Sequence, residues 1–210
     1  MSHSMKYNGA ITAEKFLFYE MRIAARFYTQ NVPIEKAIEE VRENNLFQYP
    51  TERQVSRMVR ACYKRLDALE NENLQREILL APMDAAKQIN LYAMMCQNRL
   101  VWEFMVDVIG EKYRQQDLSF SKKDVYVFLT RLQAQNDEVA GWSPSTISRI
   151  SQVLVKILVE TEILDNIRAS KLNTLLLCEE LEKGIRENKN TEALEAFNCF
   201  REESPANKCQ

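Results

Sequence analysis

Apolar residues recur every three or four positions along most of this chain, the spacing that gives a helix one buried side. Thr12 has the side chain of an N-cap, and the series Phe16, Tyr19, Ile23 and Phe27 predicts a helix running to about residue 29. Pro33 suits the first turn of a short second helix with Ile34, Ala37, Ile38 and Val41 inward. Asn44 and Asn45 break that pattern. The link Leu46-Phe47-Gln48-Tyr49-Pro50 is too apolar for a free loop and is expected to pack down. Thr51 opens the next helix, with Thr51-x-x-Gln54 reading as a capping box. Leu66, Leu69, Leu74, Ile78 and Leu79 continue the periodicity, interrupted around Asn71 and Asn73.

Pro82 marks a boundary, which divides the chain into an N-terminal helical domain over residues 6–80 and a C-terminal one over 83–204, with a polar tail over 205–210. Residues 84–113 read as one long buried helix, because Ile89, Tyr92, Met95, Leu100, Trp102, Met105 and Ile109 nearly encircle it. Ser121-x-x-Asp124 caps a helix carrying Val125, Phe128, Leu129 and Leu132, and Gly141 ends that region. Ser143 followed by Pro144 is a strong start for a helix to about residue 161, with Ile147, Ile150, Leu154, Ile157 and Leu158 inward. Two more helices are predicted over 170–184 and 191–200. The fold class is therefore all-α.

Composition agrees. Only four Gly and five Pro punctuate 210 residues, and 46% of the chain is hydrophobic. The apolar stretches around 100–109 and 153–159 are interrupted by Glu103, Asp107 and Lys156, and neither approaches the roughly 20 apolar residues of a membrane span. With no signal-peptide pattern at the start, a cytoplasmic protein is expected. Five scattered cysteines without a CxxC spacing argue against zinc and against a disulfide framework; Cys62 and Cys178 fit apolar faces. No obvious spare apolar seam remains, which favours a monomer.

Net charge is −2, so a local positive stripe stands out on a slightly acidic background. Arg53, Arg57, Arg60 and Lys64 project within roughly 60° of one another on the helix over 51–66. Opposite them lie Val55, Val59, Cys62 and Leu66, and Glu52 is the one acid in that span. The cations are therefore expected to stand unneutralised in solvent. The stripe follows a short helix and a turn, the order of a helix-turn-helix-like module, although the link is longer than usual. In such a module Arg53 and Gln54 would lie nearest to bases, with Arg57, Arg60 and Lys64 on phosphates. The plain alternative is a solvated outer face, which any amphipathic helix needs.

A second basic group, Arg149 and Lys156, lies on the helix that begins at Ser143, among Ser145, Thr146, Ser148 and Gln152. Ser143 and Ser145 are equally explained as caps. Residues 179–203 hold eight acids against four bases, a surplus that disfavours nucleic acid there. His3 is the sole histidine, and neither a Walker A loop nor a Gly-rich dinucleotide turn occurs, so no enzyme and no cofactor are predicted.

Three sets of residues carry a family resemblance: Asn45-Leu46-Phe47-Gln48-Tyr49-Pro50-Thr51-Glu52-Arg53; Ile89-Asn90-Leu91-Tyr92-Ala93 with Arg99-Leu100-Val101-Trp102-Glu103-Phe104; and Trp142-Ser143-Pro144-Ser145-Thr146 with Leu158-Val159-Glu160-Thr161-Glu162-Ile163-Leu164. Over about residues 5–165 the chain resembles the BrxA family of BREX (bacteriophage exclusion) phage-defence systems. The resemblance implies an all-helical cytoplasmic protein, likened to the NusB antitermination fold and encoded beside a DNA methyltransferase and ATPases. It also implies double-stranded DNA as a partner, with other BREX proteins, the methyltransferase among them, as further ones. None of the matching blocks is a catalytic motif. An RNA-binding NusB-like factor and a protein–protein adaptor are the competing expectations.

Overall fold

Helices follow one another from Phe18 to Glu187 in the computed structural model, which describes residues 6–200. They are α1 (Phe18–Tyr28), α2 (Ile34–Glu43), α3 (Glu52–Ala68), α4 (Glu72–Leu80), α5 (Met83–Gln97), α6 (Arg99–Glu103), α7 (Glu111–Arg114), α8 (Lys122–Gln135), α9 (Asp137–Ala140), α10 (Pro144–Glu160) and α11 (Glu179–Glu187). A π-helical stretch, Phe104–Gly110, joins α6 to α7, and 3-10 helices occupy Ala10–Thr12 and Thr191–Phe197. Among the described residues there is no strand, only an isolated antiparallel bridge between Ser119 and Lys171. The all-α expectation holds.

Several boundaries follow local chemistry as read from the chain. Ile34 opens α2 directly after Pro33, and Ala37, Ile38 and Val41 are buried. Phe47 is buried and Leu46 and Tyr49 half-buried, so the link after α2 does pack down. Ser121 and Asp124 form the reciprocal capping box of α8, and Ser143 caps α10 by accepting the Thr146 N–H at 3.2 Å.

Three expectations are corrected. The first helix does not start at Thr12. Its N-cap is Leu17, held in the left-handed region at φ 53°. The carbonyls of Glu14, Lys15 and Phe16, which a helix from Thr12 would use as acceptors, are taken instead by the Arg65 guanidinium, and Asn90 Nδ2 also donates to Phe16 at 2.8 Å. Residues 84–113 are not one helix either. Asn98 adopts an extended conformation and its side chain accepts from the N–H groups of Leu100 and Val101, ending α5 and starting α6. Finally, residues 170–178 are not helical. The Phe120 N–H donates to Ser170 and the Leu172 N–H to Leu118, while Gln88 reaches the backbone of Leu176 and Cys178, so non-local partners hold this segment extended and α11 begins at Glu179.

Packing joins both sides of Pro82 into one contiguous core, from Tyr7 to Phe197. Trp102 and Phe104 lie inside it, as does Cys62. Two glycines permit close approach. A Cβ on Gly184 would sit 2.6 Å from Leu74 Cγ, and one on Gly110 3.2 Å from the Glu195 backbone, so α11 rests on α4 and the last 3-10 helix on the π stretch. No helix among the described residues is long and apolar enough to cross a membrane.

Candidate nucleic-acid interface

α3 forms because Thr51 supplies a cap and the next 17 residues contain no Gly or Pro. Thr51 Oγ1 accepts the Gln54 N–H at 3.3 Å. The return half of the predicted capping box is replaced: Gln54 Oε1 receives the Thr51 hydroxyl at 3.2 Å rather than the Thr51 N–H. Val55, Met58, Val59, Cys62 and Leu66 are buried against α1, α2 and α5, which fixes the rotation of the helix. Arg53, Gln54, Arg57, Arg60 and Lys64 are all exposed as a result.

The cations are less isolated than their own helix suggests. Arg60 Nη2 lies 2.9 and 3.1 Å from the two carboxylate oxygens of Glu35, which α2 brings alongside. Arg57 Nε is 3.9 Å from Glu14 Oε1, and Glu52 pairs with Arg42 at 3.6 Å. Arg53 and Lys64 have no hydrogen-bond or ion-pair partner among the described residues. The expectation of a wholly unneutralised row is thus corrected at Arg57 and Arg60. Their partners come from α2 and the segment before α1, where a pattern within α3 could not place them. The Arg60–Glu35 pair is exposed on both sides, and such pairs are worth about 0–1 kcal/mol, so a competing phosphate can displace that carboxylate.

One residue of α3 that the outer pattern left out is Arg65. It is 1% exposed and points inward, about 100° round the helix from Lys64. Nη1 donates to the Phe16 carbonyl at 2.8 Å and Nη2 to Lys15 at 2.6 Å and to Glu14. Burial pushes its pKa down, an effect opposed by the neighbouring Cys62, Glu14 and Glu20. Burial also raises the Cys62 thiol to about 12, with Arg65 opposing. A basic residue at an inward position, next to Leu66, was the available signal. Arg65 organises the segment that places Glu14 beside Arg57.

α10 carries the second basic group. Arg149 and Lys156 are exposed and without an ion-pair partner among the described residues. The hydroxyls beside them are occupied locally: Ser143 Oγ lies 2.9 Å from both Ser145 Oγ and Thr146 Oγ1, so capping accounts for them. Gln152 Nε2 reaches Ser148 Oγ at 3.5 Å. The principal packing neighbours of α10 are α8 and the Ala10–Thr12 turn, whereas those of α3 are α1, α2 and α5. The predicted residues therefore fall on two helices with different surroundings. Both groups offer exposed charge to an anion; neither presents a nucleophile paired with a base.

The BrxA family model matches residues 5–189 of this chain. A BREX protein BrxA from Bacillus cereus (strain H3081.97) is 28% identical over 165 residues, covering 79% of this chain and 82% of that protein. A crystal structure of an uncharacterized protein from Magnetospirillum magneticum superimposes with a TM-score of 0.78 over 92% of this chain and 98% of that one, at 18% identity. That last likeness is one of fold.

Proposed function

Since the chain belongs to the BrxA family and is a component of a BREX phage-defence system, we propose that it serves there as a non-catalytic protein that binds double-stranded DNA. The observation that carries this reading is the solvent-facing row on α3, where Arg53, Arg57, Arg60 and Lys64 are open to an approaching duplex. The duplex supplies about one negative charge per 1.7 Å, and cations in a row along a helix release its counterions. α2 packs on α3, and in a helix-turn-helix reading of that pair Arg53 and Gln54 would lie at the end that enters the major groove. The eight-residue link from Asn44 to Thr51 exceeds the usual turn, so phosphate contact is weighted above base reading. Arg149 and Lys156 supply a second contact, and α9 joins α10 through Gly141-Trp142-Ser143, a turn of the usual length.

The protein acts in this reading as a cytoplasmic monomer, with other BREX proteins, the methyltransferase included, as partners. A duplex titration at two salt concentrations tests it, with matched RNA as competitor. An Arg57→Glu/Arg60→Glu variant is expected to bind more weakly and to lower the salt slope by about 2. Unchanged affinity and slope in a folded variant would remove α3 from the interface. Preferential competition by RNA would favour the NusB-like alternative.

A further inference from the structure

Between α8 and α10 lies a groove of about 740 Å3, of whose lining the duplex reading uses only Lys156. Buried Leu129 and Val155 contribute to its lining, together with the aromatic Tyr126 and Trp142 and the aliphatic Ile147 and Ile167. Tyr126 is 64% exposed and Ile167 51%, although each stands beside apolar surface that could have covered it. Soluble proteins seldom leave such a concave apolar patch open without a use. Lys122 and Lys156 also line it, neither has an ion-pair partner among the described residues, and no lining residue is acidic.

We propose that this groove docks an acidic amphipathic segment of a protein partner. The volume falls in the range of sites that take a few apolar side chains. A helix that spaces such side chains at i, i+3, i+4 and i+7 seats them in one groove, and carboxylates on its flanks then meet Lys122 and Lys156. A single-stranded nucleic acid fits less well. It needs a track of cations beside its stacking rings, and here only two lysines accompany apolar residues and the uncharged Gln133, Ser148, Ser151 and Gln152. The site is separable from the DNA reading because Tyr126, Ile167 and Lys122 have no part in that interface.

The test is fluorescence anisotropy of the full chain with labelled peptides of about 14 residues, carrying Leu, Phe or Trp at i, i+3, i+4 and i+7 and Glu elsewhere. Saturable binding is expected, about tenfold or more weaker in Tyr126→Glu/Ile167→Glu and detectably weaker in Lys122→Glu, with duplex binding unchanged in the uncharged Tyr126→Ser/Ile167→Ser. Peptides with Lys in place of Glu are expected not to bind. If the double variant melts early, Tyr126→Ser/Ile167→Ser is used in its place. The proposal is overturned if no acidic peptide binds, or if binding survives in the groove variant. It is equally overturned if a labelled oligothymidine, rather than the peptides, loses its binding in that variant. If the peptides bind as expected while the unaltered chain binds no duplex, the DNA reading alone fails.

Discussion

α3 and α10 are both 17-residue helices with a buried apolar side and cations facing out, yet they present different surfaces. On α3 two of the four outer cations meet carboxylates from elsewhere, and a fifth cation is drawn into the core to hold the segment before α1. On α10 the outer cations have no such partners, and an open apolar groove lies beside Lys156. A basic helix face is therefore only half a description. What stands next to it decides whether it is a screened rim, a structural clamp or the edge of a binding groove.

The largest contrast should come from one arginine on each helix. Arg65→Met leaves the Glu14 and Lys15 carbonyls without their donor, and Phe16 with Asn90 alone, and is expected to lower unfolding free energy by about 3 kcal/mol or more in urea titrations. Arg65→Lys should recover little, since one ammonium nitrogen cannot occupy both positions from which Nη1 and Nη2 reach these carbonyls. Arg149→Met is expected to stay within about 0.5 kcal/mol of the parent, and a comparable loss there would break the comparison.

Alkali should act on the α3 side as well. Cys62 is raised from 9.0 to about 12 by burial, and Tyr63 from 10.0 to about 12 by burial and Asp67; Tyr28 and Tyr49 move the same way, burial first. A folded value above the unfolded one means that the neutral group binds its proton more tightly in the native state. That stability is complete below about pH 9 and is lost as pH rises toward 12. Thermal midpoints by circular dichroism should fall over that window, and Cys62 should resist a thiol reagent until the α3 side unfolds.

Helix caps provide a matched pair. Ser143→Ala and Thr51→Ala each remove a single side-chain acceptor, from the Thr146 and the Gln54 N–H, and each should cost about 1 kcal/mol. Equal losses would show that the two helices begin with similar local stability, so that their differences lie in what surrounds them.

The smallest effect sharpens the comparison most. Glu35→Gln frees Arg60 from its carboxylate, and duplex affinity is expected to rise about two- to fivefold at low salt. If affinity is unchanged while Arg60→Glu weakens binding, the ion pair does not compete with phosphate.

Much of this was legible along the chain. Ser121 with Asp124 and Ser143 with Pro144 mark helix starts by interactions within one turn, and the inward faces of α2 and α3 follow from period alone. Asn98 was also readable in principle, but the apolar residues around it outweighed a lone Asn and the long helix was predicted unbroken. Leu17 was not readable, because its left-handed turn depends on a guanidinium 48 positions away in the chain. The same holds for the groove: Tyr126 and Trp142 carry no mark that distinguishes an open ring from a core one.

By itself, then, the sequence determined an all-helical chain, the exposure of Arg53, Arg57, Arg60, Lys64, Arg149 and Lys156, and the family. Period and capping act over a few residues and so are written locally. Only the tertiary structure decided which of those charges meet a carboxylate, which arginine goes inward and where apolar surface stays open. Those outcomes join residues such as Glu35 and Arg60, or Phe16 and Arg65, that are 25 and 49 positions apart. Coulomb and hydrogen-bond energies depend on distance in space, which chain order does not reveal.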